Sequence, residues 1–486
     1  MLSFYQGRYM KKVFLYFLLI TFGIASSLFI GTKHLQRGTF GDSGFGFGCE
    51  SIGFWELSKN IKNKGEYTNH PFITTTPLGD ESSYVFDIGR LPAYPSYLAA
   101  ARSIWDHVNV AYLLQILLYI LACMYALLLA PLLYKNWNMF AFLLYAVTVV
   151  FSPLLLFYTY GVNCEILAAA SILGFIYHLI KMQSSITSNN TVKLLFHIPL
   201  IFLYGATSFL TKSNLIVFTF PLLFLFMFLN TNGSCKKIII NASLLFSLIA
   251  ALFVWGIVIY KNTGLKTISG LPGINIYTNY LYFSEKPECQ KYKWTKELRQ
   301  NFIDKEIKKG ETNLPRLTKT ADAQYKKQVI AYFIANPGKA FCTGIYTTTQ
   351  LFTRGYFPPS DILLPLMFNM KRTESHFLEA YQMKKHGLLV FMVWKSIRII
   401  WRIYNWLLLL SFFLFPLLFI RKKRFLKYIT LLSIWTGCFI YIMSTGFIIG
   451  QNGDRHLITI YALVNMFLFI SGIEIFKKLK INSFIN

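Results

Sequence analysis

Long apolar runs separated by short polar or basic breaks recur along almost the whole chain. They predict spans near Val13–Ile30, Val110–Leu132, Phe140–Tyr158, Glu165–Ile180 and His197–Leu210. Five more are predicted near Leu215–Leu229, Ile238–Tyr260, Trp406–Ile420, Tyr428–Ile449 and Ile458–Ile475. A bilayer-crossing helix needs ~20 apolar residues, so the pattern predicts an all-α polytopic membrane protein of about ten spans. The segment Gly387–Ile400 is also apolar, but Lys395, Arg398 and Arg402 predict an interfacial amphipathic helix there. The first run starts like a secretory signal. It is long for a signal core, however, and small residues are poorly placed for cleavage between Ile30 and Gln36, so a retained helix is expected.

Composition agrees with the pattern. Hydrophobic residues make up 55% and charged residues 14%, with a mean hydropathy of +0.46, which excludes an ordinary soluble globule. Cations fix the expected orientation, because basic short loops face the cytoplasm. An inside N-terminus puts Arg8, Lys11 and Lys12, Lys135, Lys181 with Lys193, and Lys236 with Lys237 on that side. Arg421 to Arg424 and the C-terminal Lys477, Lys478 and Lys480 join them. Both termini are then cytoplasmic, in what is expected to be a bacterial inner membrane. Nucleic acid is not an expected partner; the membrane is.

Three regions follow. Residues 1–260 form an N-terminal transmembrane region with an acidic first outer loop (33–107), residues 261–402 a large outer loop, and residues 403–486 the C-terminal spans. The second loop holds 23 Lys and Arg against 10 Asp and Glu, a net of +13. Such a surface suits a solvated helical domain, and equally anionic lipid phosphates or an anionic acceptor. Cys123, Cys235 and Cys438 fall in or beside spans as packing residues. Cys49, Cys164, Cys289 and Cys342 are expected at or beyond the outer face, where a bridge such as Cys49 to Cys289 could form.

The first loop carries eight of the chain's 21 acids: Asp42, Glu50, Glu56, Glu66, Asp80, Glu81, Asp87 and Asp106. It closes on the Pro-bounded turn Arg90-Leu91-Pro92-Ala93-Tyr94-Pro95, after which a short helix can begin. A carboxylate can take a proton from a hydroxyl and an arginine can hold a phosphate, the pairing that a lipid-phosphate-dependent transferase needs. Asp42 lies in the Gly-rich run Gly41–Gly48, which lacks the Lys-Ser/Thr ending of a phosphate loop and is read as a turn. Glu50 begins a predicted amphipathic helix, Cys49–Ser58, on which Glu50 and Phe54 share a face. Glu165 stands at the lip of an apolar helix, where a carboxylate is costly unless it faces water or a partner. Lys212 and the Arg455-His456 pair sit in short turns on the same predicted face, each also explicable as a snorkelling anchor.

In this order the landmarks resemble the GT-C superfamily of membrane glycosyltransferases that use polyprenyl-phosphate sugars. Protein O-mannosyltransferases and the aminoarabinose transferase of lipid A are its familiar members. Glu50-Ser51-Ile52-Gly53-Phe54 is similar to the family's first-loop acidic helix, and Arg90 to Pro95 match its Arg/Lys-x-Pro-x-Tyr-Pro turn. Ser152-Pro153, Asn163-Cys164-Glu165, Leu210-Thr211-Lys212, Ile334-Ala335-Asn336-Pro337 and Arg455-His456 resemble later landmarks. The chain departs in three places: Glu50 replaces the usual Asp, Phe54 the usual Tyr, and the last motif lacks its proline.

The resemblance implies a GT-C-like bundle with two large outer loops and a glycosyl transfer on the outer face. The donor would be a polyprenyl-phosphate sugar, the acceptor an envelope lipid, glycan or protein. Glu50 would deprotonate the acceptor, with Asp42 the rival base. Arg90 would hold the leaving phosphate, helped by Lys212, Arg455 or His456. Glu165 would orient the acceptor or help hold a divalent metal if one is used. Inversion follows if one acid acts as base and no covalent intermediate forms. Two alternatives share the composition. A lipid or sugar transporter would place ionisable groups at midplane, where the spans hold almost none. A surface-polysaccharide polymerase or ligase would share the donor lipid but not the Arg90 turn.

Overall fold

The computed structural model describes residues 15–16, 18–27, 49–69, 85–159, 161–228, 235–268, 272–282, 284–353, 384–385, 387–420, 428–448 and 454–478. Among these, seven helices are long and apolar enough to cross a membrane, and three shorter apolar helices accompany them. The short α1 (Leu18–Ser27) stands where the first span was expected. The helices α2 (Cys49–Lys64) and α3 (Ala93–Ile104) flank a two-residue ribbon, β1 (Thr68–Asn69) antiparallel to β2 (Val85–Phe86). The membrane-type helices α4 (Val108–Leu133), α5 (Met139–Val150), α6 (Pro153–Thr159) and α7 (Glu165–Thr187) come next. They continue in α8 (Thr191–Thr211), α9 (Ile216–Phe228) and α10 (Cys235–Thr263).

A second helical region then contains α11 (Pro272–Tyr277), α12 (Pro287–Gln290), α13 (Lys296–Lys308), α14 (Leu314–Ala335) and α15 (Pro337–Thr353). A π-helical turn, Thr278–Tyr282, continues α11. The chain ends in α16 (Leu388–Leu414), α17 (Ile429–Ile448) and α18 (Tyr461–Lys478).

Local sequence explains the boundaries. The His107, Asn138 and Asn190 side chains cap the N-termini of α4, α5 and α8 by accepting from backbone N–H groups. The expected third span is broken after Phe151, because Pro153 lacks an N–H and biases Ser152 away from helix. Ser152 Oγ caps the restart by accepting from Leu155 N at 3.2 Å. Helix α3 begins at Ala93, two residues before Pro95, since a proline is tolerated in the first turn. The expected interfacial helix at Gly387–Ile400 and the span from Trp406 are instead parts of one continuous α16, with Lys395 and Arg402 exposed along it. Cys289 carries a free, buried thiol, so the pairing with Cys49 is not formed.

Helix α7 is the buried centre, packed against α4 and α8. Its small residues Ala168, Ala169, Ala170 and Gly174 allow that close approach; a Cβ on Gly174 would stand 3.0 Å from the Tyr204 ring. Far from Glu165, the polar groups of the bundle pair among themselves. His178 bonds Tyr125 and His197 at 2.9 Å each, and Tyr134 donates to Glu474. The α11–α15 region has its own aromatic core of Tyr277, Tyr280, Tyr325 and Tyr332. It joins the bundle where α15 crosses α17. There a Cβ on Gly446 would fall 2.2 Å from Thr348 Oγ1, and one on Gly344 2.3 Å from the Phe447 ring.

Candidate active site

The start of α4, the start of α7, the end of α8 and the end of α17 meet at one end of the bundle. Glu165 opens α7 and Lys212 closes α8, so each charge complements the helix dipole at its position. Lys212 Nζ stands 3.3 Å from Glu165 Oε1, with the side chains 6% and 0% exposed. Asn163 Oδ1 accepts from Glu165 N at 3.2 Å and fixes the helix start. Just beyond Lys212, Asn214 Nδ2 reaches Thr445 Oγ1 and His456 Nδ1, both at 3.3 Å. Tyr441 of α17 donates to the His456 carbonyl at 3.2 Å.

The Arg90 turn is built by Asp87. Its Oδ1 accepts from the Gly89 and Arg90 amides at 2.8 and 3.0 Å, and its Oδ2 accepts from Arg90 Nη1 at 2.7 Å. Tyr67 donates to the Arg90 carbonyl at 3.2 Å, and burial beside Asp87 pushes its phenol well up. The ribbon rests on the end of α10 through Tyr67, Phe86, Ile88 and Trp255. The guanidinium lies over the Phe54 ring, with Cζ 5.3 Å from its centroid.

Tyr94 ties this turn to Glu165. It meets Phe54 edge-on at 5.1 Å, and burial keeps its phenol well above the ordinary range and hence protonated. Gln115 Nε2 donates to the Tyr94 hydroxyl at 2.8 Å, to the Gly161 carbonyl at 3.0 Å and to the Asn163 carbonyl at 2.6 Å. A path of hydrogen bonds therefore runs from the Arg90 turn through Tyr94, Gln115 and Asn163 to the Glu165–Lys212 pair. Arg102 of α3, 4% exposed on its side chain, pins α2 by donating to the Trp55 carbonyl at 3.0 Å and to Ser58 Oγ at 3.1 Å.

Of the residues expected from sequence, Arg90, Glu165, Lys212 and His456 come to this end. Glu50 has its backbone in the first turn of α2 and Arg455 in the short helix Asp454–Leu457. Asp42, and the side chains of Glu50 and Arg455, lie outside the described residues. Ile334-Ala335-Asn336-Pro337 is the break between α14 and α15. Sequence reasoning passed over Asp87, Gln115, Arg102 and Asn214. Gln115 carried a signal, being the one amide in the apolar run Val110–Leu132. Among the described residues no three His, Cys, Asp or Glu side chains come together. Glu165, which the resemblance offered as a ligand, faces Lys212.

No family model matches the chain, and neither does any curated protein. Solved structures do. The apo oligosaccharyltransferase of Archaeoglobus fulgidus aligns with a TM-score of 0.52 at 12% identity, over 96% of this chain and 51% of that one. Its complex with an inhibitory peptide and a dolichol-phosphate gives 0.50 at 11%, over 96% and 51%. The form tethered to an acceptor peptide containing the NVT sequon gives 0.50 at 12%, over 97% and 51%. The chain thus spans about half the length of the structures it matches. At the level of fold it is an all-helical, polytopic membrane protein similar to these oligosaccharyltransferase structures.

Proposed function

We propose that this chain is a membrane glycosyltransferase that moves a sugar from a polyprenyl-phosphate donor to an acceptor hydroxyl on an envelope lipid, glycan or protein. The observation that carries the reading is the meeting of the Arg90 turn with the Glu165–Lys212 pair and the Asn214–His456 contact at one end of a GT-C-type bundle. Of the similar solved structures, one holds a dolichol-phosphate with an inhibitory peptide and another a tethered acceptor peptide, which supports a lipid-linked donor and a separate acceptor.

In this reading the acceptor oxygen attacks the anomeric carbon and the sugar–phosphate C–O bond breaks. Glu50, on the first turn of α2, takes the acceptor proton. Negative charge grows on the leaving polyprenyl phosphate. Arg90 and Lys212 are already fixed by Asp87 and Glu165 and need no reorganisation to meet it; Arg455 and His456 flank the same end. Glu165 holds Lys212 in place and orients the acceptor. A single displacement inverts the anomeric centre. The basic short loops put both termini in the cytoplasm and this end outside, in a bacterial inner membrane.

The test is release of polyprenyl phosphate from a panel of polyprenyl-phosphate sugars by the purified protein in nanodiscs containing envelope lipids. Turnover with at least one donor is expected, lowered by about 10²–10⁴-fold in Glu50→Gln with donor binding retained. Absence of release from every donor, with donor carried across the bilayer of sealed proteoliposomes instead, would turn the reading to a transporter.

A further inference from the structure

Asp87 sits at the centre of a clamp that reaches beyond Arg90 to helix α2. Its side chain is 7% exposed. While Oδ1 holds the two turn amides, Oδ2 takes Arg90 Nη1 at 2.7 Å and Asn69 Nδ2 at 3.4 Å. Asn69 in turn donates to the Gly53 carbonyl of α2 at 3.0 Å. Gly53 is where the guanidinium rests: a Cβ there would stand 2.0 Å from Arg90 Nη2 and 2.4 Å from Cζ. Arginine has ~2 kcal/mol of rotamer freedom to lose, and here a carboxylate, an aromatic face and a bare stretch of helix remove it. Glu50 lies one helical turn before Gly53 on that same helix.

We propose that Asp87 is a positioning residue for the transfer. It seats the Arg90 guanidinium on Gly53, so that the phosphate-binding cation and the helix bearing Glu50 keep one fixed relation. This rests on the transferase reading given above. Asp87 acts through Arg90 and touches no substrate. The competing role is purely structural, a carboxylate that folds the turn. Asn at position 87 separates the two, because its Oδ1 still accepts from Gly89 and Arg90 while the charge facing Nη1 is gone. Gly53→Ala attacks the same seat from the other side without touching the turn.

The experiment compares kcat, donor KM and unfolding midpoint for wild type, Asp87→Asn, Gly53→Ala and the double variant, all as full-length protein in nanodiscs. Each single variant should lower kcat by about 10²-fold, the scale of a misplacement near 1 Å, with donor KM within about threefold. The double variant should lose little more than either single, because both disrupt one contact. Hydrogen exchange at the amides of residues 53–57 should quicken in both singles. A wild-type kcat in Asp87→Asn overturns the proposal. So does a loss that disappears once rates are referred to folded protein, or losses that multiply in the double variant. If the wild type turns over no donor, the transferase reading falls and takes this one with it. That outcome is distinct from an active wild type matched by an active Asp87→Asn.

Discussion

Lys212→Met isolates the energetics of the buried pair. At 3.3 Å and an effective dielectric near 20, the two charges attract by about 5 kcal/mol. The ends of α7 and α8 add roughly 0.3–1 kcal/mol at each charge. Against this stands desolvation of several kcal/mol per ion. The intact pair therefore contributes little net, yet removing one partner leaves the other buried without this counter-charge. Met replaces the lysine stem at similar volume, so the loss is of charge rather than packing. Lys212→Met should lower stability by about 3–5 kcal/mol, read from unfolding of the purified protein in detergent. Lys212→Met with Glu165→Gln should recover most of that, giving a coupling energy of about 2 kcal/mol or more. Donor turnover should be lost in both, so stability returns in the double variant while activity does not. A single-variant cost below about 1 kcal/mol, or costs that simply add, would refute the reasoning.

Gly446→Ala should cost about 1–3 kcal/mol in the same unfolding measurement, because its Cβ would stand 2.7 Å from Thr348 Cα, a backbone atom. A near-silent substitution would mean that α15 can move off α17 freely. Asp106 is bonded by Lys62 at 2.9 Å and Arg102 at 2.7 Å, which lowers its carboxyl below the ordinary value of 3.8. A lowered folded value means stability present above the unfolded pKa and lost as pH falls through the folded one. With Asp106 42% exposed, the contribution should stay within about 1 kcal/mol. The gap in unfolding midpoint between wild type and Asp106→Asn should accordingly shrink below pH 4; a constant gap would contradict the assignment. Asp322 accepts from Ile274 N at 2.9 Å, and burial pushes its carboxyl up. Asp322→Asn keeps an acceptor there, whereas Asp322→Ala orphans the amide and should cost about 1–3 kcal/mol more; equal losses would refute this.

The spans were legible because a bilayer core enforces one rule, that long apolar stretches form helices. Each of the ten predicted runs has a helix, seven of them long and three short. At Gly387–Ile400, where the cations predict a separate interfacial helix, the structure has one continuous helix instead. A helix continues through Lys395, Arg398 and Arg402 because its backbone bonds do not depend on those side chains, which can snorkel. Glu165 and Lys212 were each visible as charges at helix ends, but their pairing was not, since it depends on how α7 and α8 pack. Asp87 was one acid among eight in a polar loop. Only the turn geometry, with its carboxylate on two successive amides and one guanidinium nitrogen, sets it apart from the others.

Helix α2 shows how a site at the edge of a membrane bundle gains definition beyond a small hydrophobic seat. Among its described side chains only Phe54 and Leu57 are buried apolar anchors. The remaining attachments are directional: Asn69 to the Gly53 carbonyl, Arg102 to the Trp55 carbonyl, and Asn60 to the Thr68 carbonyl at 2.8 Å. Each contributes about 1 kcal/mol, somewhat more where a charge takes part. Apolar contact alone would let the helix slide or roll by a fraction of a turn at small cost. Bonds to specific carbonyls oppose both motions. Most of the buried apolar core lies elsewhere, along α4, α5, α7, α17 and α18, away from these bonds. Removing one of them should therefore change turnover far more than it changes stability, because it disturbs where Glu50 stands and leaves intact what holds the bundle together.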